Sequence, residues 1–161
     1  MRKTFLVALT LFASPALARD SLGMFEGWGA FRDPAEARCY AIAKADPSTL
    51  KRTYQPYVDV ATWPRKGVRG QVHFRLSRPL SKGKGLTLSI GEQRFALTGG
   101  GGDAWAADKR MDAAIVAAMR SAKFMVVSAR GADGRRFGNI YQLAGAATAM
   151  DAASIGCAQL R

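Results

Sequence analysis

The fold is decided by one stretch of the sequence, LTLSIGEQRFAL at residues 86–97. Apolar and polar residues alternate on both sides of Gly91-Glu92, which is the period of a β-strand with one buried face. A two-residue loop that begins with Gly favours a type II′ hairpin. Such a loop brings the large apolar side chains together on one face. It pairs Ile90 with Gln93, Leu88 with Phe95, and Leu86 with Leu97.

A second hairpin is predicted near the end of the chain. Phe124–Arg130 and Arg136–Leu143 flank Asp133-Gly134, a dipeptide that accepts positive φ at both turn positions. A two-residue turn at that point fixes the register. It pairs Phe124 with Leu143, Val126 with Tyr141, and Val127 with Ile140.

Further strands are indicated upstream. Clean alternation runs through Gln71–Ser77, and Met24–Phe31 and Arg38–Lys44 resemble two early strands joined by a turn at Asp33-Pro34-Ala35. The glycine run Gly99–Gly102 is interpreted as a flexible connector, because Gly-Lys-Ser/Thr of a phosphate-binding loop does not follow it.

Two segments have helical character. Asp108 can cap a helix in which Met111, Ile115 and Met119 recur at helical spacing. A shorter helix is predicted over Ala146–Ile155, with Gly156 placed to end it. Several short strands with one or two short helices predict a mainly antiparallel β-sandwich.

The first eighteen residues have the three parts of a secretory signal peptide. A basic start at residues 1–3 precedes the apolar run Thr4–Ala13, and Ala16-Leu17-Ala18 offers small residues for cleavage. The apolar run is shorter than the roughly 20 residues of a membrane span. We therefore expect export without a transmembrane segment, and a single domain over residues 19–161. The destination is periplasmic, outer-membrane-associated or secreted.

Two cysteines remain, Cys39 and Cys157. An even pair in an exported protein usually forms a disulfide. The sequence lacks the C-x-x-C spacing of redox-active pairs and offers too few ligands for zinc. A structural disulfide is predicted.

His73 is the one histidine and the natural candidate for acid–base chemistry. Its neighbours on the same strand face are polar, so we interpret it as an exposed strand residue. The alternative is a small exported hydrolase with His73 as general base and a serine from another segment. Asp108 and Asp112 lie one helical turn apart, and their position at a helix start accounts for both. Neither a catalytic site nor a cofactor is expected.

The chain is basic, with 24 Lys and Arg against 12 Asp and Glu and a formal net charge of +12. Between residues 51 and 84 the one acidic residue is Asp59. Such an imbalance attracts anionic polymers, although it also serves solubility. Export disfavours intracellular nucleic acid and favours an anionic envelope polymer or lipid. The candidate patch consists of Arg69, Arg75, Arg78, Lys82 and Lys84.

Four aromatic residues, Tyr54, Tyr57, Trp63 and Trp105, are candidates for a binding surface. Aromatic residues more often belong to cores or cross-strand pairs, so both interpretations stay open.

The sequence resembles the invasion-associated locus B family, exported proteins of alphaproteobacteria. The resemblance rests on short motifs spread over most of residues 19–161. These are Gly27–Phe31 (GWGAF), Arg38–Ile42 (RCYAI), Ala113–Arg120 (AAIVAAMR), Phe124–Val127, Asp133-Gly134 and Tyr141–Met150 (YQLAGAATAM). It implies an immunoglobulin-like β-sandwich, association with the cell envelope or with host-cell invasion, and no catalytic site. The chain departs from the family pattern in having no cysteine between Cys39 and Cys157.

These observations predict a non-enzymatic exported protein of the cell envelope or the secreted fraction, and most favour an interaction module. The partner is either a host or envelope protein, or an anionic envelope polymer or lipid. The oligomeric state is left open.

Overall fold

A computed structural model describes residues 19–81, 85–158 and 160. The signal peptide predicted for residues 1–18 and the patch residues Lys82 and Lys84 lie outside them. Within the described residues the chain forms eleven strands and two α-helices. In chain order these are β1 (Asp20–Phe25), β2 (Trp28–Asp33), β3 (Arg38–Lys44), β4 (Tyr57–Trp63), β5 (Val68–Arg75), β6 (Thr87–Ile90), β7 (Gln93–Ala96), β8 (Thr98–Gly100), β9 (Asp103–Trp105), α1 (Lys109–Met119), β10 (Phe124–Arg130), β11 (Arg136–Gln142) and α2 (Ala146–Ala158).

The strands form two antiparallel sheets. One has seven strands in the order β1-β2-β3-β4-β5-β9-β8, and the other has four in the order β11-β10-β6-β7. The predicted fold class, a mainly antiparallel β-sandwich with short helices, is confirmed. None of the helices in the described part of the chain is long and apolar enough to cross a membrane.

The core lies between the sheets and under the helices. Phe74 of the large sheet and Tyr141 of the small sheet are fully buried, with ring centroids 5.8 Å apart. Trp28 is also fully buried, and its indole N–H donates to the Gln142 carbonyl over 2.9 Å. Side chains alternate between the two faces of each strand, so each sheet has one apolar face. The apolar faces of the two sheets pack against each other through these contacts.

The hairpin that opened the sequence analysis has the predicted register. Ile90 lies opposite Gln93, and Leu88 lies opposite Phe95. The Leu97 N–H donates to the Leu86 carbonyl over 3.0 Å. Gly91 has a φ of +56°, as the first position of a type II′ turn requires.

The predicted register of the second hairpin is wrong by one residue. Val126 pairs with Ile140 and Met125 with Tyr141. The Gly131 N–H donates to the Arg135 carbonyl and Gly134 has a φ of +76°, so residues 132–134 form a three-residue loop. The extra loop residue shifts one strand by one position relative to the other, so different side chains of the two strands share a face. The predicted pairs Phe124–Leu143, Val126–Tyr141 and Val127–Ile140 therefore do not form.

Two upstream predictions also need correction. Residues 24–31 are not one strand, because the chain turns between Phe25 and Trp28, with Glu26 at a φ of +51°. The glycine run is not a connector, because it forms the β8–β9 hairpin at the edge of the large sheet. The strand predicted over Arg38–Lys44 is confirmed as β3.

The first helix begins as predicted. The Asp108 carboxylate accepts a hydrogen bond from the Met111 N–H over 2.8 Å, which is an N-cap. Asp112, one turn later, is buried and accepts a hydrogen bond from the Val72 N–H of β5 over 2.8 Å. Asp112 thus fixes α1 on the sheet.

The second helix covers the inner face of β1, β2 and β3. It continues past the predicted end, because Gly156 lies inside α2 and is buried. A Cβ at Gly156 would lie 2.5 Å from the Leu22 side chain, so glycine allows the close approach of α2 to β1. The predicted disulfide Cys39–Cys157 is confirmed, with the two Cα atoms 5.6 Å apart.

Candidate binding surface

Alternate residues of the large sheet point away from the core and form its outer face. On β5, Phe74 is fully buried, whereas His73 and Arg75 lie on the other face. Asp59 of β4 is opposite His73, and Asp103 of β9 is opposite Arg75. Because paired residues of antiparallel strands project to the same side, these polar side chains meet on the outer face.

Five polar side chains of the outer face form a continuous row of alternating charge across four strands, which we call the charged row. Arg38 Nη2 lies 2.7 Å from Asp59 Oδ1, and Asp59 Oδ2 lies 2.8 Å from His73 Nδ1. His73 Nε2 lies 3.1 Å from Asp103 Oδ1, and Asp103 Oδ2 lies 2.6 Å from Arg75 Nη1. The five members, in spatial order, are Arg38, Asp59, His73, Asp103 and Arg75.

His73 is at the centre of the row and is not an exposed strand residue, so that interpretation is wrong. Only 19% of its side chain is exposed, and its ring contacts two carboxylates. Burial alone lowers the pKa of His73, but hydrogen bonds and charge from Asp59, and then from Asp103, raise it above the ordinary value. Both ring nitrogens of the protonated form donate, one to each carboxylate.

Aromatic rings flank both ends of the row. The Arg38 guanidinium lies 4.3 Å from the Tyr40 ring centroid and 5.0 Å from that of Trp63. At the other end, the Arg75 guanidinium lies 3.8 Å from the Tyr54 centroid. These are cation–π distances, so each arginine is held by a carboxylate and at least one ring.

Two more rings hold the centre. Trp105 stacks on His73 with centroids 5.2 Å apart, and Tyr57 meets the imidazole edge-on at 5.7 Å. The charged row and its five rings form what we call the outer patch. The four aromatic residues singled out in the sequence, Tyr54, Tyr57, Trp63 and Trp105, all belong to it, and Tyr40 is the fifth ring.

The glycine run makes this arrangement possible. A Cβ at Gly102 would lie 2.5 Å from the Tyr54 ring, and one at Gly99 would lie 2.6 Å from the Asp103 carbonyl oxygen. Real Cβ atoms do not approach so closely, so glycine is required at both positions. The run therefore leaves room for the Tyr54 ring at Gly102, and its tight hairpin places Asp103 beside His73.

The contacts of the His73 ring differ from those of a general base. A general base needs a ring nitrogen directed at a nucleophile, but both nitrogens of His73 face carboxylates. No serine hydroxyl contacts the ring among the hydrogen bonds of the described residues. Asp108 and Asp112 have the structural contacts given above. In the described ranges, no three His, Cys, Asp or Glu side chains are grouped to hold a metal ion.

The structure describes three of the five residues of the predicted basic patch, Arg69, Arg75 and Arg78, and their surroundings differ. Arg75 is paired within the charged row. Arg78 donates through Nε to the Lys51 carbonyl over 3.0 Å and has Asp133 at 3.6 Å. Arg69 lies six positions before Arg75 on the same strand, about 20 Å away at the rise of a β-strand. A patch that combines all the predicted cations stays a prediction.

The sequence analysis missed four members of the site, which are Asp59, Asp103, Arg38 and Tyr40. Asp59 lies between Val58 and Val60, which are both buried in the core. Alternation along β4 therefore places Asp59 on the outer face of the sheet, the same face as His73. The contact between Asp59 and His73 depends on the register of β4 and β5. The sequence does not show this register, because the two residues are 14 positions apart. Asp103 follows the glycine run, which was interpreted as a flexible connector, so the sequence did not place Asp103 in a strand beside His73.

Comparisons with family models, with curated proteins and with solved structures give no match to this chain. The resemblance to the invasion-associated locus B family therefore stays a prediction, and function is argued from the outer patch.

Proposed function

We propose that the protein is a non-enzymatic interaction module, exported to the cell envelope or secreted, that binds a protein partner through the outer patch. The observation that carries the proposal is the concentration of tyrosine, tryptophan and arginine on one solvent-facing sheet surface. Residues of these three types are enriched among the few residues that dominate the binding energy of protein interfaces.

The patch is preorganised for binding. Arg38 and Arg75 are each fixed by a carboxylate at 2.7 and 2.6 Å and by stacking on rings. Side chains that are already ordered lose less conformational entropy when a partner binds. A rigid surface of this kind supports recognition of a folded partner.

The charge pattern favours a protein over an anionic polymer. The cations of the row alternate with Asp59 and Asp103, so the negative charge of two carboxylates would oppose an anionic polymer laid across it. A protein surface carries both signs of charge and can complement such a pattern. The buried disulfide supports export, because disulfides persist in oxidising compartments.

Retention assays with envelope and supernatant proteins test the proposal. The wild-type protein is immobilised beside a Tyr54→Ala/Trp105→Ala variant and a Phe124→Ala control. Phe124 is a suitable control because it is aromatic, 53% exposed and on the other sheet. We expect a protein species that wild type and the control retain and that the double variant binds at least about 30-fold more weakly.

Equal retention by all three proteins would refute the outer patch as the binding surface. Co-sedimentation with lipopolysaccharide, lost in the same double variant, would replace the protein partner by an anionic polymer. Hydrolysis of generic ester or peptide substrates that disappears in His73→Ala would make the protein an enzyme. We expect neither of these two results.

A further inference from the structure

A cavity of 640 Å³ lies on the opposite side of the large sheet from the outer patch. Its floor is formed by Val60 of β4 and by the Cys39–Cys157 disulfide, and its walls include Ala117 of α1 and Ala153 of α2. This volume is within the range of about 300–1,000 Å³ that is typical of small-molecule sites.

The cavity exists because the two helices present small side chains to each other. Ala113 and Ala117 lie one turn apart on α1, and both line the cavity together with Ala153 of α2. α1 packs mainly against β5, and α2 packs against β1, β2 and β3. The space between the helices, above the sheet, is therefore left open, and small apolar side chains line it together with polar groups such as Thr62 and Ser154.

The rim of the cavity is cationic. Arg69 and Arg120 both line it, and the lining contains no acidic residue within the described part of the chain. Arg120 forms a two-point ion pair with Asp151, at 2.7 and 3.2 Å. Arg69 is exposed, and none of the described carboxylates lies within ion-pair distance of it. Arg69 is thus available for an anion at the mouth.

A β-bulge turns Arg69 toward this cavity. Regular alternation would put Arg69 on the outer face with His73, but β5 has one residue more than β4 between the pairs Ala61–Gln71 and Trp63–Val68. Gly70 takes up the irregularity with a φ of +62°. Bulges of this kind redirect a side chain at functional sites.

We propose that the cavity binds a single-chain amphipathic anion, with an acyl chain between α1 and α2 and a carboxylate or phosphate head at Arg69. The apolar part of the lining, which includes Val60, Val116 and Met150, matches the chain. The unpaired guanidinium matches the head, because arginine binds carboxylates and phosphates in two-point geometry. This inference does not depend on the proposed function, since the two sites lie on opposite sides of the sheet.

Displacement of the fluorescent fatty acid cis-parinaric acid tests the proposal on the purified protein with its disulfide intact. Oleate, the phosphate-headed lysophosphatidate and the neutral dodecanol are compared as competitors. We expect saturable probe binding, competition by at least one of the two anions, and much weaker competition by dodecanol. The stronger anion identifies the head group as carboxylate or phosphate.

Two pairs of variants locate the site. Arg69→Ala should weaken anion binding about tenfold and leave dodecanol unchanged, because one charge-assisted contact is lost. Arg110→Ala removes an exposed arginine of α1 outside the cavity and should change nothing. Ala117→Trp fills the cavity and should abolish binding, whereas Ala114→Trp, on the same helix but outside the cavity lining, should not.

Ser154→Phe offers a second way to block the cavity if Ala117→Trp does not fold, since Ser154 lies exposed at the lining. Absence of saturable probe binding would overturn the proposal. So would unchanged binding in both blocking variants, or equal anion affinity in Arg69→Ala and wild type.

Discussion

At the level of single residues, the outer patch depends on a histidine that joins carboxylates from two strands. The sequence placed His73 and Arg75 on the polar face of their strand by alternation alone. It could not supply their partners, because Asp59 and Asp103 lie 14 and 30 positions from His73. Such contacts arise only when β4, β5 and β9 are paired, which is a property of the sheet.

Replacement of His73 by Gln should reduce stability in a pH-dependent way. The pKa of His73 is raised in the folded protein, so its contribution to the free energy of unfolding is complete below the unfolded pKa of about 6.5 and is lost as pH rises through the folded pKa. We expect the difference between wild type and His73→Gln in urea unfolding to be larger near pH 6 than near pH 9.

His73 is the one histidine of the chain, so NMR titration of its ring provides an independent check. The midpoint should lie above about 6.5. A midpoint below that value, or a stability difference that does not change with pH, would show that the carboxylates do not hold the ring in its charged form.

At the level of elements, loop length decided which predictions were right. Gly91-Glu92 is a two-residue loop, and its strands have the predicted register. Gly134 occupies the left-handed position of a three-residue loop, and the dipeptide Asp133-Gly134 does not distinguish the two loop types. A local signal thus located both turns but fixed the faces of only one hairpin.

Two glycines with positive φ should respond differently to alanine. Gly134 has a φ of +76° and open space around it, so Gly134→Ala should cost about 1 kcal/mol of backbone strain. Gly145 has a φ of +83°, and a Cβ there would collide with the Phe25 carbonyl group. Gly145→Ala should therefore cost clearly more in urea unfolding at neutral pH. Equal costs would mean that the contact between β1 and the start of α2 is not tight.

Loss of the disulfide should loosen α2 more than the hairpins. The Cys39–Cys157 bond closes a loop of 118 positions, and the chain-entropy treatment assigns about 5 kcal/mol to a loop of that size. A Cys39→Ser/Cys157→Ser variant should lose that amount in urea unfolding, and hydrogen exchange should rise in α2 before it rises in β10 and β11. Wild type in reductant is the control and should behave like the variant. Two thiols that alkylate in the native, unreduced protein would contradict the bond.

At the level of the whole molecule, the net charge of +12 should give weak, salt-sensitive binding to anionic vesicles. Because Arg75 and Arg78 have carboxylates nearby, we expect this binding to reflect total charge. Joint replacement of Arg75, Lys82 and Lys84 by Ala should then reduce co-sedimentation no more than joint replacement of Lys109, Arg110 and Arg135. A much larger loss in the first triple variant would support the basic patch inferred from the sequence.

The position of α2 has a consequence for how the chain reaches its folded state. The strands β1, β2 and β3 are made first, but the helix that covers their inner face comes last in the chain. A ribosome or a translocation channel releases the chain from its N-terminus, so Trp28 and its neighbours stay without their final cover until nearly all of the domain has emerged. The disulfide therefore cannot close until residue 157 has emerged, and chains cut short before residue 146 carry an exposed apolar sheet face that favours aggregation.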